Sequence, residues 1–381
     1  PIDRMIAAFR SFITSGKADR GTRDLGALPE AKKTLIAGEG NKLRASIFDP
    51  LLEALNGCKQ LLIASDGDLT RLPFEVLPTG DGRRLIEEYR ISYLSTGRDV
   101  LRFGAMSAIR PAEPMVVADP NFDLRKPMGP LQEKSHITPG RQSRDILRSG
   151  LSFMRLPGTR TEGEQVARML GVEPRLEGDV LEAQIKKCRS PHIMHLATHG
   201  FFLADRERSP ESNFRDLGAV GDQAGGGTGR LSVSGLENPL LRSGLALAGA
   251  NTWLKQGELP SEAEDGILTA EDVSGMDLLA TELVVLSACE TGLGEVRAGE
   301  GVFGLRRSFI LAGASTLVMS LWKVPDQPTQ ELMEDFYRRV LSGQPRAEAL
   351  REAQLALSAK YPNPRDWGAF ICQGDPNPLP S

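Results

Sequence analysis

The sequence has no surplus of basic residues: 46 lysines and arginines stand against 50 aspartates and glutamates, a net charge of −4. The electrostatic footprint of a nucleic-acid binder is missing. No apolar run approaches the ~18 residues of a membrane-spanning helix, and no charged-then-apolar leader argues for secretion. Cysteine is scarce. Cys58, Cys188, Cys289 and Cys372 lie far apart with no C-x-x-C pair, which argues against a zinc ribbon or a dithiol redox motif. Four cysteines in 381 residues do not make a disulfide framework. A reducing cytoplasm is the expected home, and there a catalytic thiol stays usable. Histidine is absent from the first 110 residues, and no other catalytic group stands out among them. No cofactor and no metal is expected.

What is present is a globular composition, 40% hydrophobic and 25% charged, long enough for one large or two ordinary domains. The chain opens on Pro1, and the expectation is a piece of a longer protein with a region upstream. Residues 2–14 have apolar spacing that predicts a helix, and residues 41–55 predict a second, stopped by Gly57. Strands are expected at residues 60–65 and 89–94, and a helix at 100–106. Residues 1 to about 110 therefore read as helices plus a small sheet. After a Pro-rich joint at residues 110–114, strands and helices alternate. Met115–Ala118 opens the series, a long polar loop follows over residues 123–155, and Thr159 or Thr161 is placed to cap a helix over 162–170. That alternation predicts a mostly parallel sheet with helices on both faces.

The chemistry gathers on two strands. Leu283–Leu286 is an apolar strand running through Ser287 and Ala288 to Cys289, with Gly292 and Gly294 beyond. Residues 192–202 read as one strand carrying His199-Gly200. In a parallel sheet both strand ends lie on one edge, where ligands bind. Cys289 and His199 can thus face one another although 90 positions separate them. A thiol of ordinary pKa is mostly protonated at neutral pH, so a nucleophilic cysteine needs a neighbouring base. Backbone N–H groups at Gly200 and Cys289 are placed to bind an oxyanion. Taken singly, Cys289 reads equally as a packed thiol and His199 as a packed or capping histidine.

Ser-Ala-Cys289-Glu-Thr-Gly with His-Leu-Ala-Thr-His199-Gly resembles the CHAT family of caspase-like cysteine peptidases. The likeness extends over nearly the whole chain, through residues 66–77, 238–249, 265–271, 299–306, 320–326 and 367–374. The resemblance implies a caspase-like α/β fold in which residues 1–110 are an inactive companion subdomain and 111–381 the catalytic one. It implies an endopeptidase acting on a protein substrate, with Cys289 as nucleophile and His199 as base or acid. It also implies an upstream tetratricopeptide or other sensor region, and a bacterial defence or signalling role in the cytoplasm, with no nucleic acid or membrane contacted.

Substrate contacts are less determined. Some relatives carry an aspartate two residues before the nucleophile and prefer a basic P1 residue; here that place holds Ser287. Asp119 is then the acid expected to reach the S1 pocket. Ser320, Leu321 and Trp322 are expected to line the substrate by β-addition, with Trp322 open to a core reading as well. Asp326 reads as a helix N-cap or a pocket acid. His195, at strand rather than helical spacing from His199, is expected to be structural. Residues 203–230 are expected to be a flexible insertion, serving as a flap or a cleavage site; their Gly225-Gly-Gly-Thr-Gly229 run follows no strand and is read as a loop rather than a phosphate cradle. The rival function is a catalytically silent scaffold of the same fold.

Overall fold

Two apolar runs form the centre of the sheet. β5 (Ile193–Ala197) and β9 (Leu283–Leu286) are buried at every position and pair in parallel, Ile193 opposite Leu283. Strands covered on both faces need such continuous apolar sequence. The structure, a computed structural model, describes residues 2–14, 30–105, 108–126, 146, 150–203, 239–290 and 300–380; residues 30–35, 239, 289, 290 and 300–303 are described by backbone alone.

Around this pair stand β1 (Gln60–Ile63), β2 (Arg90–Tyr93), β3 (Met115–Pro120), β4 (Arg175–Glu177), β11 (Thr316–Ser320) and β12 (Phe370–Gly374). The eight-stranded order is β1-β2-β12-β11-β9-β5-β3-β4, and only the β11–β12 pair is antiparallel. The long helices are α1 (Ile2–Thr14), α2 (Glu30–Ile47), α3 (Pro157–Leu170), α4 (Glu300–Leu311), α5 (Asp326–Leu341) and α6 (Arg346–Lys360). Helix α3 lies close on β3: a Cβ on Gly163 would come within 2.4 Å of the Ala118 Cβ.

Several sequence expectations are corrected. The strands expected within residues 1–110 form, but as part of a larger sheet. β2 joins β12 through Tyr93 and Gln373, so β1 and β2 extend the same sheet, and one apolar core runs from Ile6 to Cys372. The expected helix at residues 100–106 is a 3₁₀ segment, Gly97–Arg102, capped by Thr96. The second helix is α2; a 3₁₀ turn, Asp49–Leu51, follows it, with Pro50 at an early position where a missing N–H costs no helical hydrogen bond. Helix α3 starts at Pro157, a favoured first position, with Leu156 rather than a threonine at the cap. Thr159 instead ties the helix to β3. Its hydroxyl donates to Leu156 O (2.7 Å) and accepts from Asp119 N–H (3.0 Å).

The largest correction concerns residues 192–202. They form two strands in two sheets. After Thr198 the chain leaves the main sheet, and β6 (His199–Phe202) enters a second sheet of order β10-β6-β7-β8, with β7 at Ser243–Ala246, β8 at Ile267–Thr269 and β10 at Cys289–Glu290. β9 makes the same transition into β10. The neighbours β5 and β9 of the main sheet thus continue into the neighbours β6 and β10 of the small one.

Candidate active site

The handover sets the register. β6 and β10 are parallel, with Cys289 opposite His199 and Glu290 opposite Gly200. Neighbouring strands run about 4.8 Å apart, so the two backbones are adjacent. On its other edge β6 pairs antiparallel with β7, Gly200 opposite Leu245.

The His199 side chain is buried in a framework that the sequence did not reveal. Its Nε2 lies 2.6 Å from Met154 O. A carbonyl only accepts, so Nε2 carries the proton and, in the neutral ring, Nδ1 keeps its lone pair. The rings of Phe122 and Phe153 lie 5.4 and 5.7 Å from the imidazole. Burial lowers the imidazole pKa from its ordinary value of 6.5, and the Lys323 charge acts in the same direction against the Met154 hydrogen bond. The ring is therefore neutral at pH 7, the state a proton acceptor needs. Met154 and Phe153 fall in the stretch read as a polar loop. A backbone carbonyl leaves no signature in side-chain chemistry; the available signal was the group of large apolar residues, Ile146, Leu147, Leu151, Phe153 and Met154, at the end of a polar run.

A cavity of about 30 Å³ opens beside His199, walled by Thr198, Ser287, Leu156, Glu162, Lys323 and Asp326 among others. Ser287 lines this cavity beside His199. Asp119 is not on that wall. It sits at the end of β3 with φ +44°, 1% exposed, its carboxylate held by Arg155 (3.0 and 2.9 Å) and by Arg160 (3.2 Å). A carboxylate already shared by two guanidiniums has no free charge to offer an S1 pocket. Ser320 is the last residue of β11, which lies between β9 and β12, and Leu321 and Trp322 follow it. Ser320 Oγ donates to Ala288 O (3.1 Å), bracing the turn before Cys289. Leu321 N–H donates to Ala369 O and Leu321 O accepts from Arg10 Nη2, both at 2.9 Å. Trp322 is buried, its Nε1 donating to Arg365 O (2.9 Å): the core reading holds.

Asp326 is the first residue of α5 rather than its cap; Pro325 occupies the cap position. Its carboxylate packs on Gly158, where a Cβ would meet Oδ2 at 2.4 Å. It thus adjoins the start of α3 as well as its own helix, places where the helix dipoles favour negative charge. His195 is structural as expected: fully buried, Nδ1 3.1 Å from Tyr337 Oη and Nε2 3.3 Å from Glu162 Oε1. Among the described residues no cluster of His, Cys, Asp or Glu could hold a metal ion, and no helix is long and apolar enough to cross a membrane. Cys58 is exposed, while burial pushes the thiols of Cys188 and Cys372 up to about 11, leaving both protonated. The insertion beyond residue 203, with its glycine run, lies outside the described residues.

The architecture is an α/β protein with a mostly parallel sheet whose central strands deliver a histidine and a cysteine side by side. Residues 38–375 match the CHAT domain family, and the chain belongs to it. Tetratricopeptide repeat protein 28 of Homo sapiens is 34% identical over 110 residues, and that of Mus musculus 34% over 111; each match covers 28% of this chain and 4% of the relative. The chain therefore spans a small part of the length of these curated relatives. Among solved structures it is similar to the Arg-specific cysteine proteinase gingipain R (10% identity, 99% of this chain, 74% of that one, TM-score 0.43). It is also similar to separase of Saccharomyces cerevisiae in its securin complex (10% identity, 98% of this chain, 22% of that one, TM-score 0.41).

Proposed function

We propose that the chain is a cysteine endopeptidase working through a Cys289–His199 dyad. The observation that carries the reading is the register that sets Cys289 opposite His199, together with the Met154 bond that leaves Nδ1 as the basic nitrogen. In this reading the Cys289 thiol gives its proton to Nδ1 and its sulfur bonds to the scissile carbonyl carbon. The oxyanion is stabilised by backbone N–H groups of Gly200 and Cys289. The carbon–nitrogen bond then breaks, the proton passes from the imidazolium to the leaving amine, and water hydrolyses the thioester to free the thiol and a carboxylic acid. Ser287 lines the cavity beside His199, and Ser320 braces the turn before Cys289. The substrate is a protein, and an upstream tetratricopeptide region, of the kind the curated relatives are named for, serves as sensor. A role in bacterial cytoplasmic signalling or defence, with residues 1–110 as the inactive companion of the catalytic part, completes the proposal. The test is cleavage of an unbiased peptide library by the chain in its activated full-length context. Cleavage that disappears in Cys289→Ala and in His199→Ala supports the reading. Cleavage retained by either variant removes the dyad. A wild-type protein that binds partners and cuts nothing when activated favours the silent scaffold.

A further inference from the structure

The Met154 carbonyl that holds His199 belongs to a segment, residues 151–156, outside both sheets and all helices. Something must fix it. The Asn251 side chain is buried and pairs with the Phe153 backbone in both directions. Oδ1 accepts from Phe153 N–H and Nδ2 donates to Phe153 O, each at 2.8 Å. Its own N–H donates to Phe122 O at 2.9 Å. One residue thus binds the backbones of both phenylalanines that flank the imidazole, and is one peptide away from the carbonyl that accepts its proton. The local turn is specialised for this. Gly249 adopts φ +91° and a Cβ there would meet Leu259 at 2.5 Å; Gly249 N–H donates to Asn121 O at 3.0 Å. That glycine starts the short helix Ala250–Leu254 on which Asn251 stands.

We propose that Asn251 is a positioning residue for the dyad: its side-chain amide clamps Phe153 so that Met154 O holds the Nε2 proton of His199 and leaves Nδ1 turned to basic duty. The inference rests on the dyad reading for its consequence in catalysis, but not for its geometry. An aspartate cannot replace the amide, because a carboxylate has no N–H for Phe153 O. Misplacing a reacting group by about 1 Å costs on the order of 100-fold in rate.

The experiment uses histidine-selective 15N spectra of the full chain, with the His199 signals assigned by difference from His199→Gln, alongside the rate of Cys289 labelling by a peptidyl electrophile. The parent is expected to show a single Nε2–H tautomer at His199. Asn251→Ala and Asn251→Asp, with folded far-UV spectra, are expected to show mixed tautomers and labelling slowed by one to two orders of magnitude. A variant that keeps the single Nε2–H tautomer overturns the proposal. So does unfolding of both variants, which would make Asn251 a general support of the fold. If the parent in its activated full-length context is not labelled, the dyad reading fails, and the tautomer comparison still decides the role of Asn251.

Discussion

The imidazole of His199 is governed by its surroundings more than by its partner in sequence. Burial and the Lys323 charge both lower its pKa, so the neutral, proton-accepting form persists below the pH at which a free histidine would charge. Sign and consequence follow directly. Activity falls as His199 protonates on the acid side, and the midpoint of that limb lies below the ordinary imidazole value. Replacing Lys323 with methionine removes a repelling cation and stabilises imidazolium, so the acid limb moves to higher pH. A pH series of electrophile labelling checks this; a limb that stays put or moves down contradicts it. At this scale the sequence was informative about side chains and silent about backbone. Cys289, His199 and Ser287 were legible because thiol, imidazole and flanking small residues have chemical reasons to stand at strand ends. Met154 was not, since any residue supplies a carbonyl. Asp119 misled because an acid at a strand end looks free until Arg155 and Arg160, more than thirty positions on, are seen to hold it.

At the level of elements, the double handover from main sheet to small sheet makes the site. β5 and β9 were readable as buried apolar strands. Their interruption at Thr198 and at Ser287-Ala288 was not, because residues 192–202 keep an unbroken strand-like pattern while the partner strands change. Thr198 Oγ donates to Ala246 O at 2.5 Å and Ser287 N–H to Leu196 O at 3.0 Å, long-range bonds that fix the break. The turn at Gly249 can be tested on its own. Alanine there would take a left-handed conformation, costing about 1–2 kcal/mol, and would press on Leu259. Gly249→Ala is expected to lower stability by at least that much in chemical denaturation; an unchanged midpoint contradicts the role given to this turn.

Across the whole molecule, the part before residue 110 is built into the main sheet. Beyond the β2–β12 pairing, Arg306 on α4 is buried against it, its guanidinium 5.5 Å over the Tyr93 ring and donating to Thr70 O at 3.3 Å, while Tyr93 donates to the buried Glu75 at 2.6 Å. Burial lowers the Arg306 pKa to about 10, so it remains charged at neutral pH and needs these partners. Gly304 of the same helix packs on Ser243 of β7, next to β6. A fragment starting at residue 111 therefore loses the partners of Arg306 and bares the edge of β12. It is expected to show no cooperative unfolding transition, and a sharp two-state melt of that fragment would contradict the account. The Pro-rich joint at residues 110–114 was legible as a joint, but a pairing between β2 and β12, some 280 positions apart, leaves no local signal in the sequence. The central claim is that Cys289 is a nucleophile activated by His199, and one measurement tests it most directly: mass-spectrometric mapping of an irreversible peptidyl electrophile on the activated full-length protein. The account predicts modification at Cys289 that slows roughly 100-fold or more in His199→Ala, with Cys188 and Cys372 untouched. Modification of Cys289 at the same rate without His199, or none at Cys289 at all, would contradict it.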